Sequence, residues 1–255
     1  MNLRLDLSKA EGYKSGSQIA RIITEGWVER NSFCPCCGND KLGQFKINKP
    51  VADFYCRQCE AEFELKSKKD GFALKIVNGA YDMMILRINS ENNPHFFFLN
   101  YSLNNLQVKN FLVIPNHYFT NDIIEQRTPL SKNARRAGWV GCNILLQNIP
   151  LSGRIFLVKD QKIETKNKVL ENWSKTSFLA NQKMENRGWT IEVIKIIEMI
   201  NNKIFELKEV YVYEKYLKEK FPQNKFVKDK IRQQLQILRD RGIIKFIGRG
   251  IYQKV

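Results

Sequence analysis

Three charged residues in one short stretch of the chain are of the types that bind a metal and activate water. Asp53 precedes a pair of cysteines, and Glu64 and Lys66 follow that pair. Two carboxylates can hold a hard cation such as Mg²⁺, which polarises a phosphate and lowers the pKa of a bound water. A nearby ammonium can orient that water and offset charge in the transition state. The alternative is a solvated strand face with an ordinary Glu-x-Lys pair.

The cysteines form a second constellation in the same region. Two C-x2-C pairs are separated by 18 residues, and they consist of Cys34, Cys37, Cys56 and Cys59. This spacing is typical of zinc sites, and four thiolates would close the coordination shell, so the predicted zinc is structural. Cys36 is surplus to the two pairs, and Cys142 is predicted to be a small buried apolar residue.

The elements around the second cysteine pair decide whether the acids can meet. A strand through EFELK, residues 62–66, places Glu64 and Lys66 on one face and Phe63 and Leu65 on the other. If the Cys56–Cys59 knuckle is the turn between two strands, Asp53 and Glu64 approach each other across the ladder.

The rest of the first 183 residues predicts a mixed α/β domain. Apolar periodicity indicates helices and strands. Turn residues between the strands at 95–101 and 108–115 indicate a hairpin. The predicted helices are 16–29 and 79–90, the latter with Met83, Met84 and Ile88 inward, and the predicted strands are 95–101, 108–115 and 153–160.

A loop at 130–143 joins two arginines to a tryptophan. Arg135, Arg136 and Trp139 stand close together, and glycines flank the tryptophan. One interpretation is a loop whose Trp139 packs on the core; the other is a loop that contacts DNA.

The C-terminal segment, 184–255, has a different character. It predicts helices at 188–200, 207–221 and 225–240, Gly242 as a C-cap, and two strands at 243–247 and 251–255. Three helices followed by a hairpin are the order of a winged helix domain.

The third of these helices separates into two faces. Val227, Ile231, Leu235 and Leu238 form an apolar face. Arginine and glutamine can read base edges in the major groove, and the opposite face carries Lys228, Arg232, Gln233, Gln236 and Arg239. Arg249, in the hairpin turn, is predicted to meet phosphate. A protein–protein module is the alternative for such a domain.

Composition favours a nucleic-acid partner. The 255 residues carry a formal net charge of +16, which favours polyanions. Half of this excess, +8, lies in the segment after residue 186. We expect a cytoplasmic protein without a membrane span, because the N-terminus is charged and no apolar run is long enough. The two histidines, His95 and His117, stand in no recognisable motif.

Parts of the chain resemble two groups of known enzymes. Asp53…Glu64-Leu65-Lys66 resembles the catalytic set of the PD-(D/E)XK nucleases, although Val51 and Ala52 separate Pro50 from Asp53. More broadly, the chain resembles the DpnI-type restriction endonucleases through CPCCG, VADFYC, EFELKSKK, ARRAGW, RIFLV, RGWTIE and IRQQLQILRD.

The second resemblance implies a fold and an activity. The fold would be a PD-(D/E)XK domain with an embedded four-cysteine zinc site, residues 1–183, and a winged helix domain, residues 184–255. The activity would be that of a monomeric, methyl-directed type II deoxyribonuclease, which cuts double-stranded DNA at GATC containing N6-methyladenine and needs no obligate protein partner. Both domains would read the modified site.

The resemblance also implies roles for individual residues. Asp53, Glu64 and the Leu65 carbonyl would bind the catalytic Mg²⁺, Lys66 would position water, and the four paired cysteines would hold zinc. Trp139 is the candidate for the methyl contact, since a methyl group in the major groove can be read by apolar contact. The alternatives are a zinc-containing winged-helix regulator without nuclease activity, and an RNA-processing nuclease that uses the same metal chemistry.

Overall fold

A computed structural model describes residues 1–45, 52–71, 74–90 and 93–255. They form two compact units, residues 1–174 and 175–255, whereas the sequence placed the boundary near residue 183. Within the described ranges, no helix combines the length and apolar character that crossing a membrane requires. Pro50, whose distance from Asp53 departs from the nuclease motif, lies outside these ranges.

The first unit is built on strands. In the part of the chain that the structure describes, they are β1 (Gly43–Gln44), β2 (Phe54–Tyr55), β3 (Glu62–Lys69), β4 (Lys75–Ala80), β5 (His95–Ser102), β6 (Gln107–Ile114), β7 (Ile124–Gln126), β8 (Gly141–Leu145), β9 (Ile155–Lys159) and β10 (Lys162–Ile163). Seven form a sheet of order β1-β2-β3-β5-β6-β9-β10, and three form a small sheet of order β4-β8-β7.

Helices accompany both sheets. They are α1 (Gly16–Asn31), α2 (Tyr81–Ile88) and α3 (Lys166–Thr176), the last of which runs across the boundary between the units. Short 3-10 helices of the first unit occur at Ser8–Ala10, Asn116–Tyr118, Asn121–Ile123, Leu146–Asn148 and Leu151–Gly153, and another, Ser177–Asn181, belongs to the second unit. The mixed α/β character expected from the sequence is confirmed.

The centre of the large sheet follows the predicted hairpin. β5 and β6 pair antiparallel, with Phe97 opposite Val113. β3 and β5 pair parallel, and parallel neighbours require a crossover connection. The crossover contains β4 and α2, so α2 belongs to the link between two adjacent strands of the sheet.

The predicted helix at 79–90 is partly wrong. Residues 75–80 form β4, which pairs with β8 and has a register shift between Asn78 and Ala80; this strand pairing overrides the local helical pattern. The helix begins only at Tyr81, and Met84 and Ile88 face inward as expected. Met83 is 64% exposed, because a helix of two turns buries only a narrow face.

Aromatic residues fill both sides of the large sheet. On one side, the α1 residue Trp27 packs edge-on against Phe111, with 5.3 Å between ring centroids. On the other, Phe96 stacks on Phe119 at 4.5 Å. Within the sheet, Glu64 lies beside Phe96 and Lys66 beside Phe98. Both phenylalanines are buried, so one flank of the charged strand face is apolar.

The second unit consists of helices and a three-stranded sheet. Its elements in chain order are α4 (Met184–Met199), β11 (Ile204–Glu206), α5 (Leu207–Tyr211), α6 (Glu214–Lys220), α7 (Val227–Asp240), β12 (Ile244–Gly248) and β13 (Ile251–Lys254). The strands are ordered β11-β13-β12. Gly242 closes α7 as predicted, with its N–H bonded to the Arg239 carbonyl at 2.9 Å.

The helix predicted at 207–221 is instead two helices. The break falls at Val212 and Tyr213, and the buried residues Val210 and Leu217 anchor the two pieces separately. A capping box involving Glu206 and Glu209 fixes the start of α5. The three helices α5, α6 and α7 and the hairpin follow α4 in the predicted order, but the sequence did not predict β11.

Candidate functional site

The four paired cysteines come together in the first unit. Their Sγ atoms all lie within 4.8 Å of one another, with 3.6 Å between Cys34 and Cys59 and 3.5 Å between Cys37 and Cys56. A tetrahedron with Zn–S bonds of about 2.3 Å places sulfurs about 3.8 Å apart. The cluster therefore fits zinc in both donor type and size.

The two cysteine knuckles share one backbone pattern. The Gly38 N–H bonds the Cys34 carbonyl and the Glu60 N–H bonds the Cys56 carbonyl, at 2.8 and 2.9 Å. Gly38 and Glu60 both have positive φ, +80° and 59°. Glycine adopts this conformation without strain, whereas the second knuckle places a glutamate in it.

Backbone amides lower the pKa of the Cys56 thiol at the start of the second knuckle. Burial opposes ionisation of Cys56, but the N–H groups of Cys59 and Gln58 hydrogen-bond its sulfur, and the net effect lowers its pKa to about 6. Cys36 is excluded from the four-sulfur cluster, as expected. Cys142 is buried, also as expected.

The second knuckle is the turn between β2 and β3. Phe54 pairs with Phe63, and the Asp53 N–H bonds the Phe63 carbonyl at 2.9 Å. The Asp53 carboxylate accepts a hydrogen bond from the Leu65 N–H at 2.7 Å. The hairpin therefore brings Asp53 to the segment that carries Glu64, as the sequence predicted.

Two cations engage Glu64. Its Oε1 lies 2.6 Å from the Lys66 ammonium, and its Oε2 accepts a hydrogen bond from Arg87 at 2.6 Å. The three side chains are only 15–25% exposed, so solvent screens these pairs less than it screens surface ion pairs. Glu64 is thus held from two directions.

Asp53 is partly buried beside the same charged groups. Burial raises its pKa; the Leu65 N–H lowers the pKa and the charge of Glu64 raises it. A carboxylate that is costly to ionise gains from a cation. Because carboxylate oxygens are the donors that Mg²⁺ prefers, Asp53 and Glu64 fit that ion chemically.

Sequence reasoning missed two residues near this set. Arg87 comes from the last turn of α2, and its position beside the inward residue Ile88 is the only local signal for it. Glu25, on α1, accepts hydrogen bonds from Arg21 at 2.7 Å and Gln44 at 2.8 Å. Burial raises the pKa of Glu25, as does the charge of Asp53, so Glu25 lies within electrostatic reach of the site.

The loop with Trp139 connects β7 to β8. The Leu130 N–H bonds the Trp139 carbonyl at 3.0 Å, which closes the loop. Trp139 folds back over Gly141, where an added Cβ would lie 2.8 Å from the indole. The Arg136 guanidinium lies 4.9 Å from the ring centroid. Trp139 is only partly buried and Arg135 is exposed, so this tryptophan is not a core residue.

β8 links that loop to the charged set. Cys142, the second residue of β8, is buried, and its pKa is raised by that burial and responds to the charges of Lys66 and Glu64. α2 contacts β4, β7 and β8, and the Tyr81 N–H bonds the Val140 carbonyl at 3.1 Å. One assembly of α2 and the small sheet therefore carries both Arg87 and the Trp139 loop.

The histidines are structural. His95 lies edge-on to Trp173, with 4.8 Å between ring centroids, and its Nδ1 accepts the Asn116 N–H at 2.9 Å. Burial lowers the pKa of His95 to about 4, so the ring is neutral at physiological pH. His117 is buried against Tyr118.

In the second unit, α7 divides as its periodicity predicted. The apolar face is buried and consists of Val227, Ile231, Leu235 and Leu238. The exposed side chains include the four proposed for DNA contact, which are Lys228, Arg232, Gln233 and Gln236.

Two of the exposed α7 residues are held by neighbours. The Tyr211 hydroxyl accepts a hydrogen bond from Arg232 Nε at 2.7 Å, and Lys228 lies 3.3 Å from Glu214. Arg249 is exposed in the turn between β12 and β13. The surface offers cations on a helix and in a hairpin turn, which suits phosphate contact and base readout together.

Two protein-family models match the chain. The DpnI model, described as the Dam-replacing family, matches residues 1–182. The DpnI_C model, described as the Dam-replacing HTH domain, matches residues 185–254. Together they span almost the whole chain, and the second independently identifies the C-terminal segment as a helix-turn-helix domain.

Proposed function

The chain belongs to the DpnI, or Dam-replacing, family, and we propose that it is a Mg²⁺-dependent type II endonuclease that cuts double-stranded DNA at GATC carrying N6-methyladenine. Family membership itself indicates a methyl-dependent restriction endonuclease with a DNA-binding domain. The observation that carries the proposed chemistry is the meeting of Asp53, Glu64 and Lys66 on the β2–β3 hairpin. We further propose that the first unit is a PD-(D/E)XK domain and that the enzyme acts as a monomer.

In this proposal Asp53, Glu64 and the Leu65 carbonyl hold Mg²⁺. When bound, the ion supplies Lewis-acid polarisation of the phosphate and a more acidic water. The Leu65 N–H, which bonds Asp53, orients one carboxylate. Antiparallel neighbours exchange N–H and C=O bonds from the same residue, so the Leu65 carbonyl faces the same side as its N–H.

Lys66 acts on the water and on the developing charge. Its ammonium lies 2.6 Å from the Glu64 carboxylate. The β3 residues before and after Lys66 pair with β5, which holds the backbone in place. A pre-positioned cation stabilises charge without reorganising at the moment of reaction. Cys34, Cys37, Cys56 and Cys59 would hold the structural zinc. The bound ion would fix the turn of the hairpin that carries Asp53.

Digestion of two plasmids tests the proposal. Plasmids bearing methylated or unmethylated GATC are incubated with the full-length protein and Mg²⁺, beside an RNA substrate. We expect cuts only in the methylated plasmid. Tight binding of DNA without cleavage in any divalent metal would favour the zinc-containing regulator, and cleavage of RNA alone would favour an RNA-processing nuclease.

Trp139 is proposed to read the methyl group. Trp139→Ala should lower the ratio of cleavage rates on methylated and unmethylated DNA about tenfold, because one methyl contact is worth roughly that much. Trp139→Phe, which keeps an apolar ring, is the matched control and should retain most of the ratio. Zinc content and melting temperature should not change. A ratio unchanged in the alanine variant would remove Trp139 from the site.

The second unit is proposed to combine phosphate contact with base readout. Arg249→Gln should weaken binding to all sequences alike and lower the salt slope by about one. Arg232→Gln should cost about 1–3 kcal/mol on the specific site and relax sequence preference. Lys203→Gln, which removes an exposed charge outside α7 and the hairpin turn, is the control. Fluorescence anisotropy over a salt series measures all three, and equal losses would mean that the face is misassigned.

A further inference from the structure

Arg87 is absent from every role assigned above, yet it binds a carboxylate proposed as a metal ligand. Its Nη1 lies 2.6 Å from Glu64 Oε2, while Lys66 occupies Oε1. With Asp53 and the neighbouring Arg21–Glu25 ion pair included, the group holds three negative and three positive formal charges. Without a metal, the site is therefore electrically balanced.

A divalent cation would upset this balance. Mg²⁺ bound to Asp53 and Glu64 would compete with the ammonium and the guanidinium for the same oxygens. The Lys66 ammonium and the Arg87 guanidinium each lie 2.6 Å from a Glu64 oxygen, so a metal bound to Glu64 would repel both. The repulsion is strong where little water screens it, and Arg87 is only 25% exposed. This repulsion favours the departure of one of the two cations from Glu64 when the metal enters.

The fold indicates which cation moves. Lys66 lies on β3 two residues from Glu64, on the same strand face. Arg87 reaches Glu64 from a different element, the last turn of α2, and has a longer side chain. Its guanidinium has five donors in a planar fork that matches phosphate, which a lysine ammonium does not.

We propose that Arg87 is a displaceable counter-ion of Glu64 that transfers to a phosphate oxygen of the strand being cut when the metal binds. In the free enzyme it is a positioning residue for Glu64. In the loaded enzyme it contacts the reacting phosphate. The inference rests on the proposed nuclease function and adds a step to it. The metal takes the place of Arg87 on Glu64, and Arg87 then binds the phosphate.

The test measures metal affinity and cleavage separately. Mn²⁺ is the probe, because carboxylate sites accept Mn²⁺ and Mg²⁺ alike and unbound Mn²⁺ can be counted by its electron paramagnetic resonance. It is titrated into the full-length, zinc-loaded protein without DNA. Single-turnover cleavage in saturating Mg²⁺ is measured in parallel. The variants are Arg87→Gln, Arg87→Lys and, as control, Arg30→Gln, an arginine in the last turn of α1 that pairs with Asp6.

The two readouts should move in opposite directions. Arg87→Gln should bind Mn²⁺ about tenfold more tightly, because a competing cation is gone, and should cut about a hundredfold more slowly, as when one transition-state donor is removed. Arg87→Lys should keep the wild-type Mn²⁺ affinity and recover part of the rate. Arg30→Gln should match the wild type in both.

Two results would overturn the inference. Weaker or unchanged Mn²⁺ binding in Arg87→Gln would show that Arg87 only supports the fold. Tighter binding with an unchanged rate would show that the guanidinium never reaches the phosphate. A wild type that cuts no DNA in Mg²⁺ would refute the proposed function and the phosphate contact, whereas the Mn²⁺ titration would still decide whether Arg87 and the metal compete.

Discussion

Lys66→Ala should lower the cleavage rate at saturating Mg²⁺ by about 10²–10³-fold, the usual loss when one pre-positioned charge is removed from an active site. The physical reason is the position of the ammonium, 2.6 Å from Glu64 and 24% exposed. DNA binding in Ca²⁺, zinc content and melting temperature should stay close to those of the wild type, since β3 keeps its pairing with β5.

A neighbouring lysine provides the control for that experiment. Lys68 lies two residues further along the same strand face and is exposed, so Lys68→Ala removes an equal charge without touching Glu64. The rates are measured by quenched-flow on a methylated GATC duplex. If Lys66→Ala cuts as fast as Lys68→Ala, the assignment of Asp53, Glu64 and Lys66 as the catalytic set is incorrect.

Removal of zinc should abolish cleavage without changing any catalytic residue. β2 has only two residues, and so short a hairpin has little stability of its own. The thiolates of Cys56 and Cys59 flank its turn, and Asp53 lies immediately before β2. Structural zinc contributes folding free energy directly. We therefore expect Asp53 to lose its bond to Leu65, and the melting temperature of the first unit to fall.

Chelation followed by separate addition of each metal makes this effect measurable. Mg²⁺ alone should not restore cleavage to the zinc-free protein, whereas Zn²⁺ followed by Mg²⁺ should. Cys56→Ser should behave like the chelated protein. Cys36→Ser should behave like the wild type, because Cys36 lies outside the four-sulfur cluster. Normal cutting by zinc-free protein would break the proposed link between the two metals.

The sequence predicted those structural features that depend on residues close together in the chain or on a repeating pattern. The C-x2-C spacing predicted a four-cysteine cluster, which forms. The apolar period of α7 predicted its buried face, which is confirmed. The turn residues between β5 and β6 predicted their hairpin, which is also confirmed. In each case the relevant partners lie close in the chain or in a repeating pattern.

Features decided by distant partners could not be predicted in the same way. β4 exists because β8, more than 60 residues later, pairs with it, and nothing within 75–80 specifies that partner. Arg87 joins Glu64 only because the crossover returns α2 to the sheet. The catalytic roles of Asp53, Glu64, Leu65 and Lys66 stay predictions. So do the DNA contacts assigned to Trp139, Arg135, Arg136, Lys228, Arg232, Gln233, Gln236 and Arg249.

The buried phenylalanines beside the charged strand face form an apolar surface that limits the screening of its charges. Phe96 and Phe98 adjoin Glu64 and Lys66 in the sheet and keep water and small ions from that flank. Charges beside such an apolar surface are screened less by dissolved salt than exposed cations such as Arg249. Ionic strength should therefore govern how readily the enzyme captures DNA, while the hydrolytic step itself proceeds at a nearly constant rate.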